Sequence, residues 1–309
     1  MSRSRLLKNL IPLLAVLIYW AALWAIGGFR KDHLTTGFLI LALSYLGARV
    51  RKVRKFLMPF LLTAIIYDSM RFYADYLRGP IHVREPYDFD KYFFGIHTST
   101  GILTPNEWFQ LHTHPILDLI TGFFYLVFFS IYIGIAAYFY FYVSQTGTDK
   151  VPAARAAAVA PAVNWSFLWL NLLGYSTYYW YAAAPPWYVA GYGLGPARND
   201  VAASSAGCVR FDQLLGTHFF SEMYGRAADI YGAIPSLHVA YPFLAIIFSF
   251  YFARLRVFSI LFYLVMCFSA VYLNHHYILD IIWGSSYALI VALVTIRVLE
   301  RRMDRTRHG

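Results

Sequence analysis

The chain has 309 residues, of which 59% are hydrophobic and only 14% are charged, and its net charge is +10. Soluble domains contain about 25% charged residues, so this composition excludes an ordinary soluble domain and favours a polytopic membrane protein. The basic residues lie in short loops between apolar segments, which argues against a nucleic-acid-binding surface and for a role in membrane orientation.

Eight apolar segments are long enough, or nearly so, to cross a bilayer core of about 30 Å. We therefore expect an all-α, polytopic membrane helical bundle of about eight transmembrane spans, with a six-helix catalytic core and interfacial helices on the extracytoplasmic side. Residues 1–309 would form a single integral membrane domain, in which 1–55 supply peripheral N-terminal spans and 56–298 the catalytic bundle. The predicted spans are 9–29, 34–48, 56–77, 117–143, 162–182, 237–253, 256–274 and 277–298.

The positions of the basic residues orient these spans. Clusters of Lys and Arg precede the first span and follow the second, fourth, sixth and eighth, so one orientation makes every cytoplasmic loop basic. Both termini are then cytoplasmic, and the long segments 78–116 and 183–236 lie on the opposite face. We expect one or two short interfacial helices in 78–116 and a cover for an active site in 183–236.

Two histidine motifs mark this outer face. The first ends in Pro235-Ser236-Leu237-His238, and the second runs from His275 to Asp280. His276 and Asp280 are four residues apart at a helix start, so they lie on one helix face. The carboxylate would fix the imidazole tautomer and leave the other ring nitrogen free as a nucleophile. Gly284 continues this stripe and would allow a neighbouring helix to approach closely.

The first motif is predicted to start the sixth span, because proline is favoured in the first helical turn. A helix N-terminus presents unpaired amides and partial positive charge, which suit a phosphate group. His238 would lie one turn into this helix, where it could act as a general acid near the leaving group.

The same histidines are compatible with structural or ligand-binding roles. A lone histidine near a span end is commonly an interfacial polar residue, and adjacent histidines beside an aspartate could be metal ligands. Bis-histidine haem ligation is a remote alternative, but it needs facing histidines at matching depth within the bilayer, whereas His238 and His276 are at one edge.

With these motifs the sequence resembles the type-2 phosphatidic acid phosphatase superfamily of lipid phosphatases and phosphotransferases. Pro235-Ser236-Leu237-His238 matches the family's Pro-Ser-Gly-His, and Ser269 with His276-x3-Asp280 matches its Ser-Arg-x5-His-x3-Asp, with Ala270 in place of Arg. No Lys-x6-Arg-Pro block is present. These departures, the segment Ala184–Tyr188 and the segment His112–Asp118 look like the inositol phosphorylceramide synthase branch, over roughly residues 87–290.

The resemblance implies a phosphotransferase with His276 as nucleophile, His238 as general acid and base, and Asp280 orienting His276. A phospho-head group, such as phosphoinositol, would pass from a glycerophospholipid to a ceramide-like alcohol through a phospho-histidine. It implies no cofactor and no metal. Hydrolysis of lipid phosphates or diphosphates is the alternative. The site would face the periplasm of a bacterial inner membrane, or the lumen of a Golgi compartment in a eukaryote. The partners would be the two lipids and the bilayer.

Substrate-binding residues are expected beside this centre. Ser236 and Tyr277 belong to the motifs, and Trp187 with Tyr188 could form a lid. Because the Lys-x6-Arg-Pro block is missing, other cations would have to bind the phosphate. The five candidates, of which the first two are preferred, are His275, Arg226, Arg210, Arg198 and Arg84. Carboxylates accept hydrogen bonds from sugar-like hydroxyls, so a polyhydroxyl head group could bind at either of two further clusters. They are Asp68, Arg71, Asp75 and Arg78 along one face of the third span, and His114 with Asp118.

Overall fold

The structure, a computed structural model, describes residues 3–198, 200–225 and 227–308, and this part of the chain is mostly helical. Contacts within the chain divide it into two compact units, residues up to Ile65 and residues from Ile66 onward. The helices are α1 Arg3–Ala25, α2 Lys31–Tyr45, α3 Arg51–Met70, α4 Ala74–Leu77, α5 Arg84–Phe94, α6 Pro105–Leu111, α7 Pro115–Ala137, α8 Ser144–Thr146, α9 Ala153–Val159, α10 Pro161–Trp180, α11 Pro186–Tyr192, α12 Val209–Leu215, α13 Phe219–Tyr224, α14 Leu237–Tyr251, α15 Arg256–Tyr272 and α16 Ile278–His308.

Short irregular helices complete these elements. A π-helical segment, Tyr138–Val143, joins α7 to α8, and 3₁₀ turns occupy Gly47–Val50 and Ala206–Cys208. The N-terminal unit consists of α1, α2 and the first part of α3. Within it α1 packs against α2, and the Trp20 indole donates a hydrogen bond to the His33 carbonyl at 2.9 Å.

Three helical stretches in the described residues are long and apolar enough to cross a membrane: Pro115–Thr146, Ala153–Trp180 and Ile278–Arg305. Three shorter apolar helices, Leu10–Ala25, Leu237–Tyr251 and Arg256–Tyr272, accompany them. The protein is thus an all-α integral membrane protein, as its composition predicted. The count of eight spans stays a prediction, because the segments predicted at 34–48 and 56–77 are not among these helices.

The centre of the second unit is α14, which packs against α7, α10, α15 and α16. Its inward face is apolar and includes small residues, and Ala240, Leu244 and Phe248 are fully buried. Because α15 runs back along α14, the N-termini of α14 and α16 lie at the same end of the bundle. This topology brings the two histidine motifs together.

The segment 78–116 forms two short helices, α5 and α6, and this confirms that part of the prediction. Helix α6 starts with a capping box: the Thr104 hydroxyl accepts from the Glu107 amide at 3.2 Å, and Glu107 accepts from the Thr104 amide at 2.7 Å. An antiparallel hairpin, β2 Ile96–Thr98 with β3 Gly101–Leu103, separates the helices. The sequence analysis did not predict it.

A small parallel ladder joins three distant parts of the chain. Strand β1, Ile81–His82, pairs with β4, Ala182–Ala183, and Ala183 also bridges to Gly232. The Ala183 carbonyl accepts a hydrogen bond from the Ala233 amide at 3.3 Å. The ladder therefore fixes the backbone just before the Pro-Ser-Leu-His motif.

Candidate active site

The two histidine motifs converge on a direct contact between their imidazoles. His238 Nδ1 lies 3.1 Å from His276 Nε2, although the residues are 38 positions apart. His238 is in the first turn of α14, and His276 lies in the connection between α15 and α16. His276 is 5% exposed, so the contact is shielded from bulk solvent.

The partners of His276 Nδ1 define the tautomer of this ring. Nδ1 lies 3.1 Å from the Ala233 carbonyl oxygen and 3.2 Å from Asp280 Oδ2. Both partners are acceptors, so Nδ1 carries the proton and Nε2 carries a lone pair. His238 Nδ1 then donates to that lone pair, and Nε2 is the nitrogen that could attack an electrophile.

Asp280 is fully buried beside the ring of His276. Its Oδ2 atom also accepts a hydrogen bond from the Tyr277 amide at 2.9 Å, which holds the carboxylate against the turn. Its Oδ1 atom has no hydrogen-bond partner among the described residues, and the same is true of the Ser236 hydroxyl. Buried polar atoms without partners are uncommon, and such atoms often belong to functional sites.

Close packing of α16 against the first motif holds this arrangement. The Ser236 amide donates to the Asp280 carbonyl at 3.0 Å. A Cβ atom on Gly284 would clash with the Ser236 carbonyl oxygen, so glycine is required for this approach. The close approach expected from the Asp280–Gly284 stripe is confirmed.

A stack of four aromatic rings extends from His238 to Tyr224, the last residue of α13. Tyr125 on α7 lies parallel to His238, with centroids 4.5 Å apart, and parallel to His275 at 5.1 Å. Tyr224 covers the other face of His275 at 4.7 Å. The interplanar angles are 16°, 15° and 16° in this order. The stack restricts the orientation of His238 through packing with a fully buried tyrosine.

His275, which was expected to supply positive charge to a phosphate, contacts other groups of the protein. His275 Nε2 lies 3.1 Å from the Ser205 carbonyl oxygen and 3.3 Å from Cys208 Sγ. Burial, together with His238 and His276, lowers the pKa of His275 well below its usual range. The ring is therefore neutral near pH 7 and serves to pack the site.

The candidate arginines that the structure describes have partners away from the two imidazoles or lie at the surface. Arg210 pairs with Asp118 at 2.6 Å and donates to Gln110 at 3.0 Å, while Arg198 pairs with Asp200 at 2.8 Å on the surface. Arg84 is exposed in the first turn of α5. Arg226, the preferred arginine, lies outside the described residues.

The His114 and Asp118 pair expected to bind a head group forms an anchor within the protein. Asp118 accepts hydrogen bonds from Arg210 and, at 3.0 Å, from the Tyr272 hydroxyl. The His114 side chain accepts from the Ile116 amide at 3.2 Å and thereby caps α7. These contacts tie the ends of α7, α12 and α15 together.

The polar stripe of the third predicted span is a set of ion pairs. Asp68 binds Arg71 at 2.8 Å, and Arg78 binds both Asp75 at 2.7 Å and Asp229 at 2.8 Å. Arg78 Nε and Asp229 Oδ2 are buried without partners among the described residues. The stripe thus lies beside the loop before the first motif.

The remaining predicted residues flank the centre. The Trp187 amide donates to the Asn274 carbonyl at 3.1 Å, so α11 lies against the residue before His275. Tyr277 is fully buried and lies between His276 and α16 in the chain. Among the described residues no three His, Cys, Asp or Glu side chains form a group that could hold a metal ion.

Comparison with known proteins assigns the chain to a family. A family model described as the PAP2 superfamily matches residues 98–294, and the chain belongs to that superfamily. A phosphoinositol dihydroceramide synthase of Bacteroides thetaiotaomicron is 34% identical over 290 residues, which are 90% of each chain.

Two yeast proteins match shorter stretches. The inositol phosphorylceramide synthase catalytic subunit of Schizosaccharomyces pombe is 30% identical over 228 residues, 74% of this chain and 50% of that protein. The corresponding subunit of Saccharomyces cerevisiae is 34% identical over 124 residues, 40% of this chain and 31% of that protein. No solved structure matches the chain at a significant level.

Proposed function

We propose that this protein transfers phosphoinositol from a glycerophospholipid to a ceramide-like alcohol. The observation that carries the proposal is the 3.1 Å contact between His238 Nδ1 and His276 Nε2, with Asp280 behind the nucleophile. The similarity over 90% of the chain to a phosphoinositol dihydroceramide synthase supports this choice of head group and acceptor.

The first step forms a phospho-histidine. His276 Nε2 attacks the phosphorus of the donor phosphodiester, and the bond from phosphorus to the glycerol oxygen breaks. His238, protonated on both ring nitrogens when the donor binds, gives one proton to that oxygen and becomes neutral, and diacylglycerol leaves. Asp280 and the Ala233 carbonyl stabilise the positive charge that develops on the imidazole of His276.

The second step regenerates the enzyme. The acceptor hydroxyl gives its proton to His238 and attacks phosphorus, and the nitrogen–phosphorus bond to His276 breaks. The backbone amides at the start of α14, adjacent to Ser236, are suited to the phosphoryl oxygens. The unpartnered Ser236 hydroxyl is suited to donate a further hydrogen bond.

The membrane arrangement follows from the same helices. The motifs start α14 and α16, so the site lies at one rim of the bundle, and the basic loops favour the non-cytoplasmic rim. Residues 56–298 would carry the catalytic bundle and residues 1–55 the peripheral spans. Trp187 on α11 would help to exclude water, which favours transfer over hydrolysis.

The test is a transfer assay on purified protein in vesicles that contain phosphatidylinositol and a short-chain fluorescent ceramide. Transfer predicts a new fluorescent phosphosphingolipid and an equimolar amount of diacylglycerol, both absent with His276→Ala. Release of inositol phosphate without the new lipid would instead identify a hydrolase. Absence of both products would contradict the proposal.

A further inference from the structure

We propose that Asp90 and Asn106, on the short helices α5 and α6, are positioning residues for the nucleophile His276. Neither touches the reacting atoms. Both bind the backbone on either side of His276, from segments more than 160 positions away. The inference rests on the proposed function, because it assigns them to the same transfer reaction.

Asp90 caps the helix that begins after the nucleophile. Its Oδ2 accepts from the Ile278 amide at 2.8 Å and its Oδ1 from the Leu279 amide at 3.0 Å. These are the first two residues of α16, whose amides have no partner within the helix. The side chain is fully buried. The residues that precede α16, His276 and Tyr277, do not cap these amides, so Asp90 supplies the cap. It thereby fixes the start of the helix that carries Asp280.

Asn106 closes the turn on the other side. Its amide nitrogen donates to two carbonyl oxygens, those of Val271 and His276, each at 3.0 Å. The first lies in the last turn of α15, and the second belongs to the nucleophile itself. One buried amide group therefore spans the connection from α15 to His276, and it uses both of its hydrogens.

The two side chains are held by contacts of their own. The capping box of Thr104 and Glu107 fixes the first turn of α6, which contains Asn106. Tyr87 on α5 donates to Glu107 at 3.0 Å and so joins the two helices. One turn after Asn106, Gln110 donates to the Tyr272 carbonyl at 3.0 Å. The pair of helices is thus a preformed support for the 271–279 backbone.

This support has a chemical consequence. His276 Nε2 must approach phosphorus in line, and a misplacement of about 1 Å can lower a rate about 10²-fold. Loss of a backbone contact on either side of His276 permits such a shift without removing any reacting group. The effect should appear in kcat, because the donor lipid still binds to unchanged groups, and KM for phosphatidylinositol should stay within about twofold.

Isosteric variants test the inference with little change in packing. Asn106→Asp presents oxygens to two carbonyl groups, and we expect kcat to fall about 10²-fold. Asp90→Asn keeps one acceptor oxygen but places its NH2 group against one of the two backbone amides, and we expect kcat to fall about tenfold. Asp88→Asn is the matched control, since Asp88 is exposed on the same helix, and its kcat should equal that of the wild type.

Hydrogen exchange on the wild-type protein provides a readout that needs no variant. The amides of Ile278 and Leu279 should exchange as slowly as those one turn further into α16, although uncapped first-turn amides exchange fast. Asp90→Asn should accelerate exchange at these amides more than at amides further into α16, and loss of the cap should lower the melting temperature by only a few degrees.

The outcomes separate this inference from the proposed function. A wild-type enzyme without transfer activity would contradict the proposed function. An active wild type in which both isosteric variants keep full kcat, while His276→Ala is inactive, would overturn the positioning role alone. Fast exchange at Ile278 and Leu279 in the wild type would overturn it as well, even if a variant failed to fold.

Discussion

His238 Nδ1 lies 3.1 Å from His276 Nε2, so the two rings that we propose as acid–base group and nucleophile are in direct contact. A phosphoryl group cannot occupy this gap while the contact persists, because phosphorus must approach the same lone pair. In the proposed reaction, the donor lipid would therefore displace the hydrogen bond between His238 and His276 before Nε2 attacks phosphorus. The contact also shields the nucleophile from water until a lipid arrives.

The first prediction concerns the two histidines. His276→Ala should abolish both phosphosphingolipid formation and diacylglycerol release, and His238→Ala should lower kcat by about 10²- to 10⁴-fold. The measurement is the initial rate in the vesicle assay, with the exposed His97 replaced by Ala as the control. Full activity in either active-site variant would contradict the mechanism.

The second prediction concerns the carboxylate. Asp280→Asn keeps the size of the side chain, but it weakens the fixation of the His276 tautomer, so kcat should fall by about 10² or more. Melting temperature and kcat measured on the same preparation separate this effect from misfolding. Unchanged kinetics would remove Asp280 from the proposed site.

The third prediction concerns the ring stack. Tyr125→Phe keeps the stacked ring against His238 and should retain activity within about threefold, whereas Tyr125→Leu removes two stacking contacts and should lower kcat about tenfold. Equal losses in both variants would show that the buried hydroxyl matters more than the ring.

The fourth prediction concerns pH. Burial lowers the pKa of His276 to about 4, below the ordinary value of 6.5, so the ring is neutral and able to attack through the mildly acidic range. Protonation of His276 should therefore not lower the rate of phosphoenzyme formation between about pH 7 and about pH 5.5. A fall in that rate on acidification, with a midpoint near the ordinary pKa, would contradict the burial of His276.

The lowered pKa of His276 also makes the stability of the fold depend on pH. Between pH 6.5 and about 4 the unfolded chain binds a proton on this histidine and the folded protein does not. The fold is therefore most stable above pH 6.5, and this contribution is lost as the pH falls through about 4. His275 shifts in the same direction because it is also buried. The melting temperature should therefore decrease as the pH falls from about 6.5 to about 4.

Sequence periodicity and spacing captured the features that are local. The apolar segments predicted the helical bundle. The two spans between the histidine motifs predicted that both motifs lie at one end of it, and the four-residue spacing from Asp280 to Gly284 predicted the close approach of a neighbouring helix. Each of these depends on residues near one another in the chain, or on hydrophobicity averaged over a span.

The contacts that sequence reasoning missed are distant in the chain. Asp90 and Asn106 reach the nucleophile loop from more than 160 residues away, and nothing in their own helices marks them. Tyr125 lies in a uniformly apolar segment with many aromatic residues, where no spacing distinguishes it. The lowered pKa of His275 depends on the burial of its ring, and a sequence motif does not show how deeply its residues are buried.

One group that orients the nucleophile is a main-chain oxygen, the Ala233 carbonyl, set in place by the ladder through Ala183. No substitution can delete it, so an alanine scan of the whole protein would overlook half of the hydrogen bonding at Nδ1. Its influence can be reached only through neighbours such as Gly232, where any added side chain would press on the ring of Tyr178. Mutation can therefore alter this atom's position but never its chemistry.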